Sequence, residues 1–75
     1  MNRHDQDFLR DIGFRIREKR QAMGLSQEDL GEKADLHRTY IGAIERGERN
    51  ISILNLRQIA KSLRIPIAQL MDGLA

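Results

Sequence analysis

Three guanidinium groups stand in one short stretch of the chain, HRTYIGAIERGERN (His37–Asn50), at Arg38, Arg46 and Arg49. Each is a rigid, always-charged fork of donors that can grip a phosphate, or the O6/N7 edge of guanine, with two parallel hydrogen bonds. On a helix turning about 100° per residue, Ile41 and Ile44 point one way with Glu45 beside them. Thr39, Gly42, Ala43 and Arg46 point the other way, and Arg38 lies at the edge of that face near its amino end. A face meant only for solvent usually carries Glu and Lys pairs. This one has small groups in the middle and long donors at its ends, as a helix in the major groove of DNA requires. There Arg38 could pair with guanine, and Thr39 could bond a base edge or offer its methyl to thymine. Each residue also has a plainer reading. Arg38 and Arg46 would serve as solvated surface, Tyr40 as a half-buried aromatic with a wet hydroxyl, and Arg49 and Asn50 as loop polars. The short turn between two helices just upstream favours the groove.

Other chemistry is thinly represented. The chain has no cysteine and only two well-separated histidines, His4 and His37, so neither a disulfide nor a metal site is expected, and no cofactor either. No nucleophile has a partner base, no acid–base pair occupies matched helical positions, and no glycine-rich phosphate loop occurs, so an enzyme finds no support. No apolar run approaches the ~20 residues of a membrane helix. The amino-terminal MNRHDQDFLR is charged and leads into no apolar signal core. A cytoplasmic protein without a membrane partner is the expectation. The formal charge is +2 but unevenly spread: residues 24–36 carry one basic and four acidic groups, and residues 37–75 six basic and three acidic. That permits nucleic-acid binding without demanding it.

The elements that must hold these residues are helices. Apolar residues recur at three and four throughout and nowhere alternate with period two, so residues 1–75 are expected to form one all-α domain of five helices. In the first helix Leu9, Ile12, Ile16 and Met23 mark the apolar stripe, Phe8 and Phe14 lie off its centre, and Gly24 ends it. Ser26-Gln27-Glu28-Asp29 resembles a capping box opening the second helix, along which Leu30 and Ala34 face inward and Gly31 either permits close approach of another helix or is a tolerated glycine costing ~1 kcal/mol. The third runs from about His37 to Arg46 and stops at Gly47. Ser52 caps a fourth ending near Leu63, with Ile53, Leu56, Ile59, Ala60 and Leu63 on one face. A short fifth begins at Pro66, a favoured first-turn position, and ends by Asp72-Gly73. Its Ile65, Ile67, Leu70, Met71 and Leu74 are too many apolar groups for so short a helix. With Ile65 and Leu70 turned inward, Ile67, Met71, Leu74 and the nearby Leu54 are left outward. A domain this small gives roughly 3–5 kcal/mol of stability from its own core, so a homodimer built on residues 64–75 and Leu54 is expected, the plainer alternative being an exposed, frayed C-terminus.

From Ile12 to Leu70 the chain resembles the Cro and lambda-repressor-like helix-turn-helix family. The resemblance is carried by SQEDLGEKADLHRTYIGAIERGERN (residues 26–50), with the helix-turn-helix at about residues 26–46. HRTYIG followed by ERGERN is most similar to controller proteins of restriction–modification systems. The resemblance implies a compact lambda-repressor-like fold in which Arg38 and Thr39 read bases, and Ala43 and Arg46 line the groove. Gln27, Tyr40, Arg49, Asn50 and Ser52 would hold the DNA backbone, fixing register without carrying sequence information, and Arg20 and Glu45 would form a structural ion pair. Two positions depart from the family, Asp35 and Arg64, where glycine is common. Aspartate tolerates a left-handed backbone better than most residues, and arginine does not.

The implied function is a sequence-specific transcription regulator binding double-stranded DNA as a homodimer on a near-palindromic operator. A controller-like protein would regulate its own promoter, as activator or repressor, with RNA polymerase a candidate partner. The alternatives are a phage- or plasmid-type repressor and an antitoxin-like interaction module, the latter requiring a larger exposed apolar surface than the sequence offers.

Overall fold

The computed structural model describes residues 2–74 and contains five helices: α1 (Arg3–Ala22), α2 (Gln27–Ala34), α3 (Arg38–Glu45), α4 (Ile53–Ser62) and α5 (Ile67–Met71). No strand occurs among the described residues. Met1 and Ala75, the ends of the expected domain and of its dimerisation region, lie outside them.

Local chemistry fixes the helix ends. At α2 the Ser26 hydroxyl accepts from the Asp29 amide and the Asp29 carboxylate accepts from the Ser26 amide, each at 2.9 Å, so two otherwise unpaired donors are satisfied at once. The bond from the Ser26 amide, followed by the Ser26 side chain, holds the Asp29 carboxyl below its ordinary pKa. Ser52 caps α4 through the Asn55 amide at 3.1 Å. Pro66 stands one place earlier than expected, as the residue before α5. At their carboxyl ends α1 to α4 close alike, with the residue after a left-handed one bonding back five positions: Leu25 to Arg20, Leu36 to Gly31, Glu48 to Ala43 and Ile65 to Ala60. That pattern needs one left-handed residue. Gly24 and Gly47 supply it after α1 and α3, and Asp35 (φ 58°) after α2. Arg64 (φ 59°) supplies it after α4, despite its side chain.

The core draws on every helix: Ile12 and Ile16 from α1, Leu30 and Ala34 from α2, Ile41 and Ile44 from α3, Leu56, Ile59, Ala60 and Leu63 along α4 and its cap, and Leu70 from α5. Each large aliphatic among them contributes roughly 1.5–3 kcal/mol by leaving water. Three expectations need correcting. Ile53 does not share the buried face of α4 but is 64% exposed, because it starts the helix at the edge of the stripe. At Gly31 it is the connecting turn that comes close, with the Leu36 carbonyl occupying the space a Cβ would need. Ile67, Met71 and Leu74 are not left outward: all three are half-buried against the domain's own core. Five residues of α5 packed against both α1 and α4 have neighbours on two flanks, and this absorbs more apolar surface than one flank could.

Candidate nucleic-acid interface

Helix α3 sits on a rigid seat. Ile41 and Ile44 anchor its inner side, and α1 approaches so closely at Gly13 that a Cβ there would collide with the Ile44 and Glu45 carbonyls. Glu45, at the last turn, ties three elements together. Its carboxylate accepts from Arg20 Nε at 2.7 Å and Nη2 at 3.0 Å, and from Gln27 Nε2 at 3.2 Å. Arg20 Nη1 donates to the Leu25 carbonyl at 2.8 Å. Both charged residues are buried, and their geometry is a two-point fork, so the desolvation cost is met by directed bonds. The bonds to Glu45 raise the Arg20 pKa against the opposing effect of burial. The end of α1, the start of α2 and the end of α3 are thereby fixed relative to one another.

The outer side of α3 is exposed and polar. His37 precedes the helix and its Nδ1 accepts from the Thr39 amide at 3.0 Å. Arg38 and Thr39 are exposed, and Ala43 is half-buried. Arg38 Nη1 lies 3.3 Å from a Glu28 carboxylate oxygen, both side chains more than 60% exposed. Arg46, the cap residue of α3, pairs through Nε with Glu48 at 3.1 Å. Gly42 differs from its expected place in the open face. It is buried beneath Arg46 Nη1 and the Gln27 amide, which lie 3.1 and 3.2 Å from where a Cβ would be. Gln27, expected to reach outward, turns its amide nitrogen to Glu45 instead.

Beside this face, Tyr40 is half-buried and its hydroxyl accepts from Asn55 Nδ2 at 3.1 Å, leaving the phenolic proton free to donate. The Arg49 guanidinium lies 5.8 Å from the Tyr40 ring centroid, within cation–π range. Asn50 and Ser52 are exposed, and the Ser52 oxygen already accepts from α4 while its proton is free. The structure thus brings Arg38, Thr39 and Ala43 onto α3 with Arg46 as its cap, sets Arg49 near Tyr40, and places Gln27 over the helix. Leu54 is 61% exposed next to Ile53 on α4. Sequence reasoning missed Asn55, Glu28 and Glu48. Asn55 had a signal, as the lone polar residue between Leu54 and Leu56; the two glutamates had none, because their partners are reached across turns. Among the described residues no cluster of side chains could hold a metal ion, and no helix is long and apolar enough to cross a membrane.

This arrangement offers exposed donors on a firmly seated helix, with further phosphate-compatible donors beside it. Comparison with known proteins agrees. Residues 16–70 match the helix-turn-helix family HTH_3. The control protein C.BamHI of Bacillus amyloliquefaciens is 44% identical over 62 residues, covering 81% of this chain and 76% of that protein. The crystal structure of the restriction-modification controller protein C.AhdI from Aeromonas hydrophila superposes with a TM-score of 0.81 at 44% identity, over 85% of this chain and 96% of that one. SinR, a master regulator for biofilm formation, was solved in complex with DNA; it matches with a TM-score of 0.77 at 35% identity, over 81% of this chain and 98% of that one.

Proposed function

The chain belongs to this helix-turn-helix family of non-enzymatic, DNA-binding transcription regulators, and from that premise we propose that it is a controller-like regulator acting as a homodimer on a near-palindromic operator. The observation that carries the reading is the outer side of α3, where Arg38, Thr39 and Arg46 project from a helix whose other side is fixed by Glu45 and Arg20. A base-reading side chain is useful only if its helix cannot rock, and the buried fork supplies that stiffness.

In this reading residues 26–46 are the helix-turn-helix. Arg38 and Thr39 read base edges from the amino end of α3, and Ala43 and Arg46 line the groove. Tyr40, Arg49, Asn50 and Ser52 hold phosphates, and Gln27 meets the DNA backbone at the α2 amino end, where backbone amides favour an anion. Residues 64–75 with Leu54 form the dimer contact through Leu54, Ile67, Met71 and Leu74. The dimer would govern its own promoter, recruiting or blocking RNA polymerase. Selection of bound duplexes from a random pool by the purified protein tests this. Enrichment of a two-fold symmetric motif is expected; no enrichment at moderate salt would sink the proposal.

A further inference from the structure

Asn55 stands in the first turn of α4 and donates twice. Its side-chain Nδ2 gives a hydrogen bond to the Tyr40 hydroxyl at 3.1 Å, and its backbone amide gives one to the Ser52 hydroxyl, also at 3.1 Å. Tyr40 belongs to α3 and Ser52 is the cap of α4, so one residue holds two hydroxyl oxygens from different parts of the fold. Both oxygens act as acceptors there, which leaves both protons to be given elsewhere. We propose that Asn55 is a positioning residue for DNA: by occupying the Tyr40 oxygen it aims the phenolic proton at the DNA backbone. The inference rests on the regulator reading above, in which Tyr40 and Ser52 hold phosphates.

A phenolic proton has two favoured positions, one on either side of the C–O bond in the plane of the ring, and the oxygen can give and accept at once. Left alone, the proton divides its time between them, and a phosphate meets the correct one only part of the time. An N–H aimed at the oxygen repels the proton from its own side, so the other side is already favoured before DNA arrives. The same bond polarises the O–H and strengthens it as a donor. Asn55 and Tyr40 are both half-buried, which partly screens their bond from water. A carboxylate in place of the amide would do the reverse, because it can only accept and would take the proton for itself. The Arg49 guanidinium, 5.8 Å from the same ring centroid, brings charge to this part of the surface; the phenol is neutral and brings direction. Phosphates are alike on every sequence, so the aim of Tyr40 sets how firmly the protein sits and not which sequence it prefers.

The test uses the full chain and two duplexes: one selected by the wild-type protein from a random pool, and a scrambled duplex of the same composition. Tyr40→Phe removes the hydroxyl and should weaken both complexes by about fivefold per copy bound. Asn55→Ala keeps the backbone amide on Ser52 and suits a helix; it should weaken both complexes by about threefold per copy. The double variant should bind no more weakly than Tyr40→Phe alone, because Asn55 acts through that hydroxyl. No charge is removed, so the slope of log affinity against log salt should keep its wild-type value in all three. Melting temperatures taken alongside register any general damage to the fold, which would persist in the Tyr40→Phe background instead of vanishing there. Asn55→Asp extends the cycle: its charge repels phosphate in either background, and the extra loss seen only with Tyr40 present reads the captured proton. Unchanged or tighter binding in Asn55→Ala overturns the inference, as do additive losses in the double variant or equal losses for Asn55→Asp in the two backgrounds. If the wild-type protein selects no duplex at all, the regulator reading fails first and this one with it.

Discussion

At the scale of single residues, Arg38 and Arg49 carry the same charge, and the proposed reading gives them different tasks. Arg38 stands at the amino end of α3, exposed and able to exchange Glu28 for a base edge. Arg49 lies past the helix, its guanidinium near the Tyr40 ring, and is proposed to hold a phosphate rather than a base. Arg38→Ala should therefore cost ~1–3 kcal/mol at one position of each half-site and relax the preference there. Arg49→Ala should weaken all sequences alike and flatten the salt dependence by about one unit of slope. Titrations across salt and sequence separate the two, and exchanged outcomes would show the roles are reversed. The donors themselves were legible in the sequence, because helical periodicity alone turns Thr39, Ala43 and Arg46 away from Ile41 and Ile44. Their restraints were not. Which carboxylate a long, exposed arginine meets depends on the path of a turn, and helical spacing says nothing about a pair such as Glu28 and Arg38, ten positions apart. Gln27 shows the same limit, since a residue at an exposed helix start bends inward only because Glu45 waits on another helix.

At the scale of elements, caps were the most legible feature and one-sided packing the least. Ser26 and Ser52 announce helix starts by chemistry local to four residues, and both form as that chemistry requires. The place of Ile53, and of the apolar groups on α5, depends on neighbours far along the chain. Arg64 marks the point where the element wins over the residue: the bond from Ile65 to Ala60 closes α4 and imposes a left-handed backbone on an arginine. Holding an L-residue there costs about 1–2 kcal/mol, part of which glycine gives back through its looser unfolded chain. Arg64→Gly should accordingly be more stable than Arg64→Ala by about 1 kcal/mol. Equal melting temperatures for the two variants would mean the turn relaxes without strain. The joint between α1 and α3 makes a second demand. Removing Glu45 alone strands the buried guanidinium of Arg20, with an expected loss of ~3–5 kcal/mol, whereas replacing both with apolar groups of similar size should lose far less. Thermal melts of Glu45→Ala, Arg20→Met and an Arg20→Met/Glu45→Leu double variant check this. Additive losses would mean that the fork, for all its geometry, does not couple the helices energetically.

At the scale of the whole molecule, the dimensions of the domain bear on the proposed dimer. The long dimension of the domain is 31 Å, less than the ~34 Å between successive major-groove faces on one side of DNA. In the proposed reading one copy presents one α3 to one half-site, and a second copy at a fixed spacing reads the other. The proposed contact draws on Leu54, Ile67, Met71 and Leu74, and the structure divides these into two kinds. Leu54 is largely exposed, with Ile53 beside it equally bare. Ile67, Met71 and Leu74 already give part of their surface to the domain's own core, so α5 has less to offer a partner than its composition suggested. Burying ~100 Å² from each of three such side chains would contribute roughly 7 kcal/mol per protomer at 25 cal/mol/Å², before the loss of rotational and translational freedom. The half-burial of α5 lowers that figure and shifts weight toward Leu54. Sedimentation at several concentrations distinguishes the contributions. The wild type should be dimeric at tens of micromolar; Leu54→Asp and Ile67→Asp, each placing a charge in the contact, should both be monomeric there. Each variant should also lose the step in affinity that a second half-site gives to wild type when the two lie one turn apart. Should both variants remain dimers, the contact lies elsewhere on the surface, and a monomeric wild type at that concentration would remove the dimer from the proposal altogether.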